Sequence, residues 1–225
     1  PYSGLPQLPF SQDDDFAELA SYFTGKSVAI VGPDPNLIGQ YKGEEIDSYD
    51  IVCKVGAMYN MNDDLHYGTR MNVLFNGCFP NVDSKNKFVQ MDRVICPIKA
   101  CIPGVLDVHK RNIDKHYHYL QAELPDIKFN RIGLLSCNFD NLYKTRATLG
   151  TFAIYFLLNQ DLTKLGIYGF TWYKKGCYHH QYGWDTHSTH GVSIDKEIHG
   201  LKNEIAKSKV EIFLNEEVAN AIYDN

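Results

Sequence analysis

The stretch SVAIVGPDPNLIGQYKGEEIDSYDIVCKV, from Ser27 to Val55, contains two apolar runs separated by a loop rich in Gly and Pro. The runs, Ser27–Val31 and Ile51–Val55, have the length and the Val and Ile content of buried parallel strands. In α/β proteins the carboxyl ends of such strands lead into ligand-binding loops. The sequence therefore predicts that residues 32–40, directly after the first run, face a nucleotide.

The rest of the chain alternates between strand-like and helix-like patterns. Further strands are predicted at 72–75, 93–96, 165–169 and 210–214. Helices are predicted at 16–23, 106–122, 148–159 and 193–207. This alternation is typical of a mostly parallel sheet with helices on both faces. We expect a flexible, Pro- and Ser-rich tail at 1–12 and a single domain over 13–225, because 225 residues with 44% hydrophobic content can build one core.

Composition narrows the class of function. The net charge of −5 and the pI near 6.0 do not favour general nucleic-acid binding, which needs clustered Lys and Arg. No apolar run approaches the roughly 20 residues that span a bilayer. The six Cys lack CxxC pairs, Asp13–Asp15 lies beside the tail, and Asp63–Asp64 lies in a turn-like segment. We therefore expect no membrane span in this chain and no bound metal.

Four groups of segments resemble the motifs of one enzyme family, in that family's order. The long sialylmotif of the eukaryotic-type sialyltransferases is resembled by Val28–Gly32, Asn36–Leu37, Gly43–Val52 and Tyr67–Arg70, with the apolar Val73–Phe75 behind them. The short sialylmotif is resembled by Arg146–Gly150, an apolar helix and Tyr168–Phe170. His179–Tyr182 is similar to the third motif. His190 with Asp195 is similar to the last motif, where the family usually has Glu.

The resemblance implies a single-domain, modified Rossmann-like α/β fold, a variant of the GT-A glycosyltransferase fold, with a mostly parallel central sheet. It also implies an inverting, metal-independent glycosyltransferase that moves sialic acid or a related sugar acid from a CMP-linked donor to a glycan hydroxyl. A monophosphate leaving group carries less charge than a diphosphate, so side-chain donors can accommodate it without a metal. The expected partners are the nucleotide-sugar donor and a glycan acceptor, with no cofactor beyond the donor substrate.

Histidines in the third and last motifs are the candidate catalytic residues. His190 is the candidate general base, since an imidazole accepts a proton near neutral pH, and Asp195 is the candidate that orients it. His180 is the candidate donor of a hydrogen bond to the departing phosphate, with His179 as the alternative. Two other interpretations of this His-rich segment stay open: solvent-exposed loop histidines, and a zinc site, although the spacing matches no known zinc pattern.

The candidate donor-binding residues follow predicted strands or begin a predicted helix, apart from one histidine. They are Gly32, Asp34, Asn36, Gly56, Asn76, Thr148, Gly150, Thr151, Tyr168, Gly169 and His179. Free backbone N–H groups at the start of a helix suit a phosphate or a ribose hydroxyl, although Thr148 would equally serve as a simple helix cap. Tyr168–Phe170 fits either a pocket wall or the core, and Asn76 fits either donor binding or an ordinary turn.

Three positions depart from the family. Pro33 and Gly56 stand where the resembled enzymes have Asn residues that contact the donor, and Lys54 stands in place of an Arg. These changes keep two alternatives open. One is a transferase of the same fold that uses another nucleotide-sugar donor, and the other is a catalytically inactive module that binds a nucleotide or glycan.

The cysteine pattern bears on the cellular compartment. Val28 and Leu162 stand about where the animal enzymes of the resembled family have a pair of disulfide-bonded cysteines. Loss of both partners favours a reducing, cytoplasmic compartment or a viral or bacterial relative. The Golgi lumen stays an option if an upstream anchor has been removed. The sequence predicts no oligomeric state.

Overall fold

The structure is a computed structural model that describes residues 13–56, 58, 64–78, 85–88, 91–97, 107–172 and 193–224. Seven strands form one sheet in this described part of the chain. The strands are β1 (Ser27–Val31), β2 (Ile51–Val55), β3 (Val73–Phe75), β4 (Arg93–Cys96), β5 (Lys128–Arg131), β6 (Lys164–Tyr168) and β7 (Glu211–Leu214). Every neighbouring pair is parallel, which confirms the predicted parallel sheet.

The order of the strands is β5-β4-β3-β2-β1-β6-β7. Strands β2 to β5 are added one after another on one side of β1, whereas β6 and β7 are added on its other side. The direction of growth therefore reverses between β1 and β6. Open α/β sheets bind ligands at the carboxyl ends of the strands at such a point.

Helices cover both faces of the sheet. They are α1 (Asp13–Phe23), α2 (Gly43–Asp47), α3 (Asp64–Tyr67), α4 (Asp107–Glu123), α5 (Gly133–Tyr143), α6 (Leu149–Leu158), α7 (Ile194–Lys207) and α8 (Glu216–Tyr223). One face packs against α1 and α5 to α8, and the other packs against α2, α3 and α4. The described residues therefore form a single three-layered α/β domain.

Strand β1 is buried on both faces because its side chains alternate between the two cores. Val28 and Ile30 pack on the side of α6, and Ala29 and Val31 pack on the side of α2. Helix α6 is apolar on all sides because it lies between the sheet and helices α5 and α7. The core therefore fixes the position of α6 relative to β1.

The predicted strands and long helices are confirmed, with small shifts at their ends. The patterns did not predict β5, α2, α3, α5 or α8. Strand β5 is a short edge strand in which Phe129 and Asn130 are the buried residues, so no apolar run marks it. Helix α5 contains Gly, Ser, Cys and Asn, which are weak helix formers, and Phe139 anchors it by packing against Tyr155 of α6. The predicted tail at 1–12 lies outside the described residues.

The region around Arg70, part of the resembled long motif, serves the fold. The Arg70 guanidinium donates to the carbonyl oxygens of Asp47 and Asp50 at 2.7 and 2.8 Å. The Asp47 carboxylate in turn accepts hydrogen bonds from the amides of Thr69 and Arg70. Partial burial alone would raise the pKa of Asp47, but these hydrogen bonds outweigh it and hold the pKa below its ordinary value. This network closes the turn before β2.

Apolar packing occupies the place at which the resembled enzymes have a disulfide. Val28 and Leu162 both belong to the core on the α6 face. Among the described residues, Cys53, Cys78 and Cys96 are buried, and none of these three forms a disulfide. None of the helices in the described ranges combines the length and the apolar composition that crossing a bilayer requires.

Candidate functional site

The loops that follow β1 and β6 are in direct contact at the point where the strand order reverses. The N–H of Gly32 donates to the carbonyl oxygen of Tyr168 at 2.8 Å, and the N–H of Asp34 donates to that of Gly169 at 3.2 Å. A β-carbon added to Gly169 would lie 2.6 Å from the carbonyl oxygen of Gly32, and one added to Gly32 would overlap the carbonyl oxygen of Gly169. Both positions therefore need glycine, and Gly169 also has a φ of +68°.

The first turn of α6 joins this pair of loops through the ring of Phe170. A β-carbon on Gly32 or on Gly150 would lie 2.7 Å from that ring. The ring is therefore enclosed between the β1 loop and the start of α6, and it is almost fully buried. The sequence left Phe170 open as either a pocket wall or core, and its burial between the two glycines fits the core interpretation.

The amino end of α6 offers backbone hydrogen-bond donors. The N–H groups of Leu149 and Gly150 meet no acceptor within the described residues, and the positive end of the helix dipole lies there. Lys144, Arg146 and Lys196 are exposed close by in sequence or in space, with the Lys196 ammonium 3.2 Å from the carbonyl oxygen of Lys144. Free N–H groups and positive charge together suit a phosphate.

The two threonines predicted to contact a donor are engaged within the protein. Thr148 is the N-cap of α6, and its hydroxyl accepts a hydrogen bond from the N–H of Thr151 at 3.4 Å. The buried Thr151 hydroxyl accepts a hydrogen bond from Trp172 Nε1 at 3.0 Å. The cap interpretation of Thr148 is thus confirmed, whereas contact of either hydroxyl with a ligand stays a prediction.

A buried carboxylate that the sequence analysis missed fixes the start of α6. Glu197 of α7 is fully buried, and its Oε2 accepts hydrogen bonds from the amide and the hydroxyl of Thr148 at 3.0 and 2.8 Å. The available signal was helical spacing, since Ile194, Ile198 and Leu201 form an apolar stripe that Glu197 adjoins. Glu197 therefore ties the first turns of α6 and α7 together.

The residues predicted for catalysis fall in two classes. Asp195 is exposed on the first turn of α7, where its charge complements the helix dipole. The three predicted histidines, His179, His180 and His190, lie outside the described residues. The described chain on either side of them is anchored beside α6, on one side by the Trp172 hydrogen bond and on the other by the Ser193 N–H, which donates to Thr145 Oγ1 at 3.2 Å.

Gly56 and Asn76 meet at the ends of β2 and β3. The Asn76 Nδ2 donates to the carbonyl oxygen of Gly56 at 3.2 Å, and its Oδ1 accepts from the amide of Cys78 at 2.6 Å. Gly56 has a φ of +68° and open space where a side chain would stand. Asn76 therefore holds the two strand ends together, which fits the turn interpretation, and contact of this pair with a donor stays a prediction.

Two further polar side chains, from β2 and β6, are tied into the core. The ring of Tyr168 is fully buried and its hydroxyl donates to Glu45 Oε1 at 2.8 Å, which fits the core interpretation. Burial, followed by its hydrogen bonds, raises the pKa of Tyr168. The buried Lys54 ammonium donates to the carbonyl oxygen of Gly68 at 2.8 Å, and burial lowers the pKa of Lys54.

Asp34 and Asn36 form the turn that follows Gly32. Asp34 Oδ1 accepts hydrogen bonds from the amide and from the side-chain Nδ2 of Asn36 at 2.9 and 2.7 Å. The carbonyl oxygen of Asn36 accepts from Gln40 Nε2 at 2.7 Å. Both predicted site residues thus lie at the reversal point. In the described ranges, no group of three or more His, Cys, Asp or Glu side chains is arranged to hold a metal ion.

Several solved structures resemble this chain, although no protein-family model and no curated protein matches it. A mammalian sialyltransferase aligns over 92% of this chain and 80% of its own, with a TM-score of 0.55 and 17% identity. The monofunctional α-2,3-sialyltransferase Cst-I from Campylobacter jejuni aligns over 89% of this chain and 82% of its own, with a TM-score of 0.60 and 14% identity. The C. jejuni sialyltransferase CstII, in complex with cytidine-5′-monophosphate, aligns over 88% of this chain and 84% of its own, with a TM-score of 0.57 and 16% identity. The predicted Rossmann-like fold of the sialyltransferase type is therefore confirmed.

Proposed function

We propose that this chain is a glycosyltransferase that moves sialic acid or a related sugar acid from a CMP-linked donor to a hydroxyl group of a glycan. The observation that carries the proposal is the reversal of strand order between β1 and β6, whose carboxyl ends meet beside the start of α6, in a fold that sialyltransferases share. CstII, which has this fold, was solved with CMP. The four motif resemblances, in family order along the chain, support the same activity.

The donor phosphate in this proposal binds at the start of α6. The N–H groups of Leu149 and Gly150 donate to its oxygens, and the exposed cations Lys144 and Arg146 attract it. A phosphate that departs as part of CMP gains negative charge, which these N–H groups stabilise without a metal. Glu197 supports this role indirectly, because it holds the N-cap in place.

The chemical step follows from the two motif histidines. His190 takes the proton of the acceptor hydroxyl, and the acceptor oxygen then forms a bond to the anomeric carbon of the donor. The bond from that carbon to the phosphate oxygen breaks, and CMP leaves with the electron pair. His180 donates a hydrogen bond to the departing phosphate, and Asp195 orients His190. Attack from the face opposite the phosphate inverts the anomeric configuration.

Nucleotide-dependent thermal stabilisation of the purified chain tests the proposal first. The ligands compared are CMP, CDP, UDP, UMP, GDP and ADP, since a ligand that binds the native state raises the Tm. We expect the largest increase with CMP, because the first turn of α6 offers few donors and suits a monophosphate. Stabilisation by a diphosphate in place of CMP, or by none of the six nucleotides, would contradict the proposal.

Turnover is then measured with CMP-sialic acid as donor, as release of CMP in the presence of glycans. The His190→Ala variant is expected to lose turnover by about 10²- to 10⁴-fold, the range for a general base, while CMP still raises its Tm. The matched control is His118→Ala on α4, where the exposed His118 contacts Gln121. Equal turnover in the two variants would exclude His190 as the base.

A second candidate function keeps the fold and changes the donor. Pro33 and Gly56 present no side-chain amide at the ends of β1 and β2, where the resembled enzymes contact their donor. A transferase that uses another nucleotide sugar would tolerate this change. The same nucleotide panel separates the two functions, because the second predicts that UDP or GDP raises the Tm more than CMP does.

A further inference from the structure

We propose that the buried carboxylate of Asp34 accepts a hydrogen bond from the nucleoside part of the bound donor, from a hydroxyl or an amino group. The inference rests on the proposed function, because it assigns a role at the same reversal of strand order. It also fixes an orientation: the nucleoside faces the β1 loop, and the phosphate faces the start of α6.

The backbone of Asp34 is held in place on both sides. Its N–H donates to the carbonyl oxygen of Gly169 at 3.2 Å, and its carbonyl oxygen accepts from the hydroxyl of Tyr67 at 2.8 Å. The residue is 1% exposed. Asp34 therefore sits between the end of β6 and helix α3, at the reversal of strand order, and its side chain has little freedom to turn toward solvent.

The cap of the turn explains one oxygen of this carboxylate but not the other. Oδ1 accepts both hydrogen bonds from Asn36, whereas Oδ2 is buried and accepts none from the described part of the chain. Asn or Ser caps a turn as well as Asp does, without burying a negative charge. An unsatisfied carboxylate oxygen in the interior destabilises the free protein. A ligand group that donates a hydrogen bond to Oδ2 would remove this cost.

The chemistry of the carboxylate limits what that ligand group can be. An ionised carboxylate only accepts hydrogen bonds, and it repels phosphate, so its partner is a hydroxyl or an amino group. A cytidine nucleotide carries both, on the ribose and on the base. The phosphate is attracted instead to the N–H groups of Leu149 and Gly150. The β1 loop and the start of α6 thus select opposite ends of the nucleotide.

The test compares the wild type with Asp34→Asn and Asp34→Ser. Both substitutions keep an oxygen for the cap and remove the carboxylate, and Asn places an N–H donor where an acceptor stood. Affinities for CMP, 2′-deoxy-CMP, 3′-deoxy-CMP and UMP are measured by isothermal titration calorimetry, with folding checked by circular dichroism. The control is Asp126→Asn, which removes an exposed charge in the turn before β5, at the opposite edge of the sheet.

We expect both Asp34 variants to bind CMP about 10- to 100-fold more weakly than the wild type, the loss typical of a hydrogen bond to a charged group. Asp126→Asn is expected to bind CMP as the wild type does. If a ribose hydroxyl is the partner, the wild type discriminates against one of the deoxy nucleotides and the Asp34 variants do not. If the cytosine amino group is the partner, the wild type discriminates against UMP, which lacks that group, and the Asp34 variants do not.

Three outcomes overturn the inference. CMP affinity equal to that of the wild type in both Asp34 variants would overturn it and leave the proposed function standing. Equal weakening for all four nucleotides, with the discrimination of the wild type retained, would also overturn it, because Asp34 would then only shape the loop. A wild type that binds none of the four would overturn the inference together with the proposed function.

Discussion

The two edges of the sheet differ in how their charges are paired. At the amino edge, where the strands begin, Arg93 pairs with Glu18 at 2.8 Å, although its buried Nε has no hydrogen-bond partner in the described structure, and Asp50 accepts from the amide of Ser27 at 2.8 Å. At the carboxyl edge, one buried oxygen of Asp34 accepts no hydrogen bond from the described residues. The first N–H groups of α6 likewise meet no acceptor in the described structure.

This difference separates the part of the sheet that stabilises the fold from the part that is prepared for a ligand. Paired groups lower the free energy of the native state, whereas groups left without a partner raise it until a ligand supplies one. The carboxyl edge also brings backbone segments close together at glycines. Substitutions at the carboxyl edge should therefore disturb packing and binding, and substitutions at the amino edge should change stability alone.

The largest effect is expected from a β-carbon at the closest contact of the carboxyl edge. Gly32→Ala places a methyl group against the Gly169 carbonyl and 2.7 Å from the Phe170 ring, so we expect unfolding free energy to fall by about 3 kcal/mol. The control is Gly56→Ala at the end of the neighbouring strand, where space is open and left-handed strain alone costs about 1 kcal/mol. Urea denaturation measures both, and equal losses would contradict the close contact.

An intermediate effect is expected where two helices meet at the same edge. Glu197→Gln replaces the buried carboxylate that accepts two hydrogen bonds from Thr148, so we expect a loss of about 2 kcal/mol in the free energy of unfolding. Asp195→Asn, two residues away and exposed, is expected to change it by no more than about 0.5 kcal/mol. Chemical denaturation measures the free energy of unfolding of both variants. A larger loss in Asp195→Asn than in Glu197→Gln would contradict this prediction.

The smallest effect is a pH dependence at the amino edge. Hydrogen bonds from Arg93 and Lys128 lower the pKa of Glu18 from 4.5 to about 2. Because the folded pKa lies below the unfolded one, the stabilisation is complete above about pH 4.5 and disappears as the pH falls through about 2. Glu18 is 45% exposed, so solvent screening limits the stabilisation to about 1 kcal/mol.

Urea denaturation of the wild type and Glu18→Gln between pH 7 and pH 2 measures this contribution. We expect the wild type to be more stable at pH 7 and the difference to vanish toward pH 2. Lys128→Gln serves as the control, since Lys128 is 63% exposed and its loss leaves Glu18 paired with Arg93. A stability difference that stays constant over this range would show that the carboxylate is not the source.

The sequence predicted most of the fold because long apolar runs have few stable alternatives to burial. Strand β1 and helix α6 are apolar throughout, so both had to lie inside, and the structure places them there. Strand β5 escaped prediction because an edge strand needs few apolar residues, and its pairing with β4 supplies the hydrogen bonds. The same reasoning applies to α5, whose weak helix formers are held by packing around Phe139.

The candidate site was only partly predictable. Gly32, Asp34, Gly150 and Gly169 were predicted from strand ends, a helix start and motif resemblance, and the structure brings them together. The sequence by itself determined six of the seven strands and the loops that end them, since these follow from local patterns of burial and turn chemistry. Only the tertiary structure decided that Glu197 holds Thr148, the N-cap of α6, and that Asp34 has an oxygen with no partner among the described residues. Both facts depend on distances between segments far apart in the chain, which no local pattern encodes.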